Sequence, residues 1–327
     1  MEEILLSEKK ENKLVYIPEL CTGCGVCSQI CPKEAVSMGL VGAVARRVLD
    51  DYPRYLDVQR CTTCGLCARA CPFGALSKIV DGKREVLGTY VRYGTKSTKV
   101  DISTCKFCGL CEEVCPSDAI VIERRISDDG SLSFEGSTTV NQDICVHCGW
   151  CMQICPTDSI KVEKPFDGVI ELEKELCSGC GTCVEACPCD ALFLPKESYK
   201  KGVDIIKHRV DACIFCGACS NACPNKVIKV KRTALAEGVQ KRNALEKGLL
   251  KEFEYTLPEF KLNTYENLCH GCGDCMVTCP VNYVKREEIT IDVVNGSVNV
   301  LDIKECKACG TCVDICPVDA IKLEVVR

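Results

Sequence analysis

The chain has 327 residues, a formal net charge of −5 and 6% aromatic residues. Net acidity speaks against nucleic acid or an anionic membrane as partner, and so few aromatics leave only small apolar cores, of the kind that need a metal or another staple. The 33 cysteines are about a tenth of the chain, a level typical of disulfide scaffolds in short secreted proteins. The N-terminus Met1-Glu2-Glu3-Ile4-Leu5-Leu6 is acidic and has no adequate apolar signal core. Arg46-Arg47 and Arg124-Arg125 lie too deep to be twin-arginine signals. The cysteines are therefore expected to face a reducing cytoplasm and to hold metal rather than each other. The longest apolar stretch, Leu40 to Leu49, is interrupted by Arg46 and Arg47 and is far short of the roughly 20 residues of a membrane span.

In chain order the cysteines fall into eight groups of the form C-x2-C-G-x-C-x3-C-P. They are Cys21, Cys24, Cys27 and Cys31; Cys61, Cys64, Cys67 and Cys71; Cys105, Cys108, Cys111 and Cys115; Cys145, Cys148, Cys151 and Cys155. The second half holds Cys177, Cys180, Cys183 and Cys187; Cys213, Cys216, Cys219 and Cys223; Cys269, Cys272, Cys275 and Cys279; Cys306, Cys309, Cys312 and Cys316. Only Cys189 is left over. A unit recurring at this spacing marks an array rather than two large domains. Soft thiolates select iron–sulfur clusters, copper(I) or zinc. Three thiolates three residues apart can wrap one face of an iron–sulfur cubane, and the fourth, followed by proline, ligates the neighbouring cluster in two-cluster ferredoxins. Structural zinc sites instead pair two short C-x2-C units. The glycine after each second cysteine is expected to let the backbone pass close to the cluster.

Short β-branched runs flank the motifs. Leu14 to Ile17, Lys99 to Ile102 and Val298 to Asp302 lead in; Ala119 to Ile122, Ser159 to Val162 and Ala320 to Leu323 lead out. Between them there is room for a turn or so of helix, so each unit reads strand, cysteine loop, short helix, strand. Two spacers hold more. Residues 38 to 56 carry Leu40, Val41, Val44, Val48 and Leu49 at helical spacing. Thr233 to Leu250 also reads as a helix, with Leu235, Val239, Leu245 and Leu249 on one face. It lies in a segment, Lys226 to Lys251, with eight Lys or Arg and two Glu, read either as a solvated linker or as a docking element for a partner or a second copy of the chain.

Two such units resemble one bacterial-type ferredoxin domain with two four-iron clusters, and the chain as a whole resembles a polyferredoxin. Motif number and length most resemble the polyferredoxin subunit of the formylmethanofuran dehydrogenases of methanogenic archaea. The resemblance implies an α+β fold of four tandem domains at 13–80, 98–163, 168–232 and 259–327, with a linker helix at 233–257. It implies eight [4Fe-4S] clusters ligated by the 32 motif cysteines. Eight clusters of charge about −2 each deepen the chain's acidity. Pairing of the middle units stays open. The long gap between Cys223 and Cys269 favours sequential pairing. The short one between Cys155 and Cys177, with Lys164-Pro165-Phe166-Asp167-Gly168 as a turn, suits a nested alternative in which the fourth and fifth units form a domain inserted between the third and sixth.

No catalytic constellation is readable: there is no phosphate-binding glycine loop after a strand, no nucleophile–base pair, and only three histidines. Without an open iron site, clusters move electrons. The resemblance implies a non-catalytic, cytoplasmic electron-transfer subunit, with other subunits of an oxidoreductase as partners, carrying low-potential electrons for reduction of carbon dioxide on methanofuran. The alternatives are a hydrogenase-associated chain or a free soluble electron reservoir. Cys189 reads as a small buried hydrophobe. His147 and His270 read as exposed loop residues or as donors to cluster sulfur, and Trp150 as a shield over its cluster or a surface anchor. Phe107 and Phe215 share one slot in the third and sixth loops, which favours the nested pairing. Pro280-Val281-Asn282-Tyr283 departs from the Pro-x-Asp-Ala of other units, so the helix there is expected to differ.

Overall fold

The computed structural model describes residues 2–9, 11–85, 97–126, 134–195, 206–234, 257–285 and 289–326. Strands β1 (Ile4–Lys9), β2 (Asn12–Tyr16), β3 (Val36–Met38), β4 (Arg54–Leu56), β5 (Leu76–Val80) and β6 (Lys83–Arg84) surround motifs one and two. The outer strands pair, β2 with β5, and so do the inner ones, β3 with β4, all antiparallel. β1 and β6 extend the outer sheet to four strands.

The scheme repeats around motifs three and four. β7 (Ser97–Val100), β8 (Ile120–Ile126), β9 (Phe134–Val140) and β10 (Ile160–Glu163) pair as β7 with β10 and β8 with β9. Around motifs five and six, β11 (Asp167–Leu172), β12 (Leu192–Phe193), β13 (Lys207–His208) and β14 (Ile228–Ala234) pair as β11 with β14 and β12 with β13. Around the last two motifs, β15 (Phe260–Thr264), β16 (Ile291–Val294), β17 (Ser297–Val300) and β18 (Ile321–Val325) pair as β15 with β18 and β16 with β17. The alternation in β18 is visible in its burial: Ile321 and Leu323 point inward, Lys322 and Glu324 outward, the period of two that a half-buried strand requires.

Each motif carries one helix of four or five residues: α1 (Val26–Ile30), α3 (Leu66–Ala70), α4 (Leu110–Glu113), α5 (Trp150–Ile154), α6 (Thr182–Glu185), α7 (Ala218–Ala222), α8 (Asp274–Thr278) and α10 (Thr311–Asp314). Helices so short do not stand alone; they are held by the cysteines at their starts and the strands beneath. In the spacer after motif one, the expected helix is confined to α2 (Val41–Ala45), because Arg47 turns left-handed at φ 59° and ends it. In unit seven the departure from Pro-x-Asp-Ala yields a further helix, α9 (Pro280–Lys285). The buried Asn282 fixes it: its Oδ1 accepts from the Thr290 amide at 2.7 Å and its Nδ2 donates to the Ile291 carbonyl at 2.7 Å. Of the expected linker helix only Thr233, Ala234 and Leu257 are among the described residues: the first two continue strand β14, and Leu257 is in neither helix nor strand.

Candidate metal centres

The loops repeat one backbone device. The residue before each second cysteine has positive φ in all eight motifs: Gly23, Thr63, Phe107, His147, Gly179, Phe215, Gly271 and Ala308. The turn swings an amide toward sulfur. The amides of Thr63, Phe107, Phe215, Gly271 and Ala308 each donate to the Sγ of the first cysteine of their motif at 3.2 to 3.4 Å. At the other end of the loop, the amides of Ala35, Ala119, Ser159, Ala191 and Ala320 donate to the fourth cysteine at 3.2 to 3.3 Å. Rows of amides aimed at sulfur suit an anionic group. The glycine after each second cysteine has φ between 78° and 93°, a left-handed backbone that by itself favours glycine. At Gly109 a Cβ would meet no protein atom within 4 Å, whereas at Gly310 it would collide with Val48.

Four cavities show how sulfurs gather. One is ringed by Cys21, Cys24, Cys27 and Cys71, and one by Cys61, Cys64, Cys67 and Cys31. A third has Cys177, Cys180, Cys183 and Cys223, and a fourth has the motif cysteines Cys213, Cys216, Cys219 and Cys187, with Cys189 also in its wall. Each takes three cysteines from one motif and the fourth from the neighbour to which it is strand-paired. The open space among the lining atoms of each is about 320 to 380 Å³, solvent at its mouth included. Among the described residues no three His, Cys, Asp or Glu side chains converge on a single-ion position. The sulfurs stand around a volume rather than a point, which fits a many-atom cluster. In the remaining pairs, the Cys115 sulfur lies close enough to Cys145 to act on its charge, and Cys279 does the same to Cys312.

Burial pushes the thiols up, Cys111 and Cys275 to about 11 and Cys67, Cys151, Cys216 and Cys309 to about 12. Bare sulfurs at these six positions would keep their protons; iron supplies the positive charge that makes thiolates stable there.

The motifs also meet across strand-paired units. Asn221 Nδ2 donates to the Gly23 carbonyl at 2.8 Å, joining motif six to motif one. Lys164 Nζ reaches the Asp211 carbonyl and, at 3.0 Å, the Cys213 carbonyl, and Trp150 Nε1 donates to the Cys189 carbonyl at 2.8 Å; both join the second pair of units to the third. Arg46, after α2, donates to Thr182 Oγ1 at 3.1 Å, to the Cys180 carbonyl and to Asp314 at 2.7 Å, tying the first pair to motifs five and eight. Asn225 Nδ2 donates to the Pro280 carbonyl at 3.0 Å. The third pair thus touches all the others.

The remaining singled-out residues now have places. Cys189 is buried and its thiol hydrogen-bonds Cys148, which holds the Cys148 thiol below its usual range. His147 is buried, not exposed: Nδ1 lies 3.1 Å from Thr98 Oγ1 and 3.8 Å from Cys145 Sγ. His270 is exposed. Phe107 and Phe215 share a slot for a local reason. Each ring lies under a glycine of the strand leading into the paired motif, where a Cβ on Gly136 would come within 2.9 Å of Phe107 Cγ and one on Gly168 within 3.0 Å of Phe215 Cγ. Sequence reasoning missed two arginines, Arg46 and the buried Arg54. The signal for Arg46 was a charge set inside an otherwise apolar run.

Models of the 4Fe-4S dicluster domain match residues 20–76, 60–119, 104–159, 137–188, 176–227, 209–283 and 261–317. The chain belongs to the 4Fe-4S dicluster ferredoxins, and the eight repeats make it a polyferredoxin with eight [4Fe-4S] clusters. It is similar to a chain of the formate dehydrogenase–heterodisulfide reductase–formylmethanofuran dehydrogenase complex from Methanospirillum hungatei, with TM-score 0.62 and 33% identity over 72% of this chain and 83% of that one. A polyferredoxin protein of Methanocaldococcus jannaschii is 46% identical over 39 residues, 12% of this chain and 11% of that protein. One of the subunits of the tungsten-containing formylmethanofuran dehydrogenase 2 of Methanopyrus kandleri is 41% identical over 52 residues, 12% of this chain and 66% of that protein. No described helix is long and apolar enough to cross a membrane.

Proposed function

We propose that the chain is a non-catalytic electron-transfer subunit that carries low-potential electrons through its eight clusters within a larger oxidoreductase of the formylmethanofuran dehydrogenase kind, in the cytoplasm. The observation that carries the reading is the ring of three cysteines plus one around each cavity, repeated along loops that pack against one another. The 32 motif cysteines, from Cys21 to Cys316, are the ligands. In the middle of the chain Cys105, Cys108 and Cys111 share a cluster with Cys155, and Cys145, Cys148 and Cys151 share one with Cys115. The domains run 13–80, 98–163, 168–232 and 259–327.

The clusters supply reversible one-electron uptake. The chain's residues fix them relative to one another, surround them with amides, and remove the diffusional encounter that separate ferredoxins would need. Interlocked contacts such as Asn221 to Gly23 and Lys164 to Cys213 support a wire over a free reservoir, since a reservoir needs no fixed spacing between its units.

Anaerobically purified chain should contain about 32 iron and 32 sulfide, and should co-purify with a tungsten or molybdenum enzyme whose ferredoxin-dependent activity falls when the chain is removed. Half the iron, or zinc in its place, defeats the cluster assignment. Undiminished partner activity without the chain defeats the wire.

A further inference from the structure

Arg54 opens strand β4 opposite Met38 of β3. The residue is 3% exposed. Its guanidinium carbon stands 3.8 Å from the centroid of the Tyr16 ring. Neither Nε nor Nη2 has a hydrogen-bond partner among the described residues. Arg54 and Met38 both line the cavity ringed by Cys21, Cys24, Cys27 and Cys71. The three other cavities have no arginine in their walls.

A buried guanidinium with open donors is strongly unfavourable unless an anion meets it. A four-iron cluster on four thiolates carries a charge of about −2 and presents sulfur as acceptor. A cluster held in the cavity that Arg54 lines would bring such acceptors to the open N–H groups. We propose that Arg54 donates hydrogen bonds to the cluster held by Cys21, Cys24, Cys27 and Cys71, and so makes it the easier of the two clusters in the first domain to reduce. The proposal rests on the electron-transfer reading above.

Taking up one electron makes the cluster more negative. A fixed positive charge and N–H donors aimed at its sulfur stabilise that reduced form more than the oxidised one. The second cluster of the same domain, in the cavity of Cys61, Cys64, Cys67 and Cys31, has Lys33 and no guanidinium at its wall; the Arg54 charge acts on Cys67 there as it does on Cys21 and Cys27 of the first, so it is the hydrogen bonds that set the two apart. Position gives the bias a use. A Cβ on Gly217 of motif six would lie 3.6 Å from the Cys24 carbonyl oxygen, so the favoured cluster adjoins the third pair of units. An electron entering the first domain comes to rest beside the junction and not at the far cluster.

Two measurements on the full chain test this, with titanium(III) citrate as reductant. In wild-type protein with ¹⁵N-labelled arginine, pulsed electron-nuclear spectroscopy of the partly reduced chain should show ¹⁵N and exchangeable-proton couplings to one early-reduced cluster. Absence of any arginine coupling to the early-reduced clusters overturns the proposal without a variant. Redox titration of Arg54→Lys and Arg54→Met should move one of the eight reducing equivalents to lower potential, further for Met than for Lys, with the arginine coupling lost. An Arg54→Met chain with full iron and an unchanged titration overturns it too. Iron and sulfide content, measured on the same samples, reports separately on the electron-transfer reading.

Discussion

Motifs three and six have nearly the same loop and different surroundings. Gly109 and Gly217 have φ 90° and 91°, and Phe107 and Phe215 occupy the same slot with φ 49° and 53°. Yet Cys108 is exposed while Cys213, Cys216 and Cys219 are all buried. A Cβ on Gly109 would meet nothing within 4 Å, whereas one on Gly217 would lie 3.1 Å from Arg232 Nη2 and 3.6 Å from the Cys24 carbonyl. The local sequence specifies a site for a cluster; the neighbours decide whether that site is an end or a crossing. The second cysteines of motifs two and seven, Cys64 and Cys272, are exposed like Cys108, while Cys148 of motif four is buried like Cys216.

The largest expected effect of this contrast is on cluster lifetime. Under an iron chelator in air, the clusters bound through Cys64, Cys108 and Cys272 should be lost at least about tenfold faster than the rest, equivalent to roughly 1.4 kcal/mol in barrier. Iron release followed by absorbance should then show a fast phase of about three-eighths of the total iron. A single phase for all the iron would erase the distinction between ends and crossing.

The next effect sharpens it through the two glycines. Gly109→Ala should cost about 1–2 kcal/mol from the left-handed backbone alone. Gly217→Ala should cost more, because Arg232 must also move. Chemical denaturation of the anaerobic protein measures both, and equal losses would mean that the packing at Gly217 contributes nothing.

The smallest effect sits in the contact itself. Asn221→Ala removes the hydrogen bond to the Gly23 carbonyl and should lower stability by about 1 kcal/mol. The exposed pair Lys231–Glu171 at 2.7 Å, on the same domain, should give roughly 0–1 kcal/mol when Lys231 is changed to Ala. A loss from Asn221→Ala no greater than the loss from Lys231→Ala would show that the crossing is not held there.

These contrasts also mark what the sequence can carry. Strand, loop and short helix are written locally: alternating Ile321-Lys322-Leu323-Glu324, the glycine after each second cysteine, the proline after each fourth. The departure at Pro280-Val281-Asn282-Tyr283 was legible for the same reason and became α9. Contacts between distant units were not, because they are made by ordinary groups. Asn221 reaches a backbone carbonyl 198 positions away, and any residue offers such a carbonyl. His147 looked like a loop residue because Thr98, which covers it, lies 49 positions earlier. Phe107 and Phe215 suggested kinship between units three and six, yet each answers only to a glycine on a nearby strand. Arg54 had no signature, since its meaning depends on the cavity that Met38 and four cysteines complete around it.

The amide from Asn221 to Gly23 also has a consequence in time. A ribosome making roughly 5–20 residues per second delivers Gly23 about 10 to 40 s before the amide that will cover it. Thr182, the seat of Arg46, arrives almost as late. Through that interval the first loop has one flank open that the finished molecule closes. The contact from Asn221 then closes that flank once the domain translated third is made, and Asp314 adds its hold on Arg46 later still.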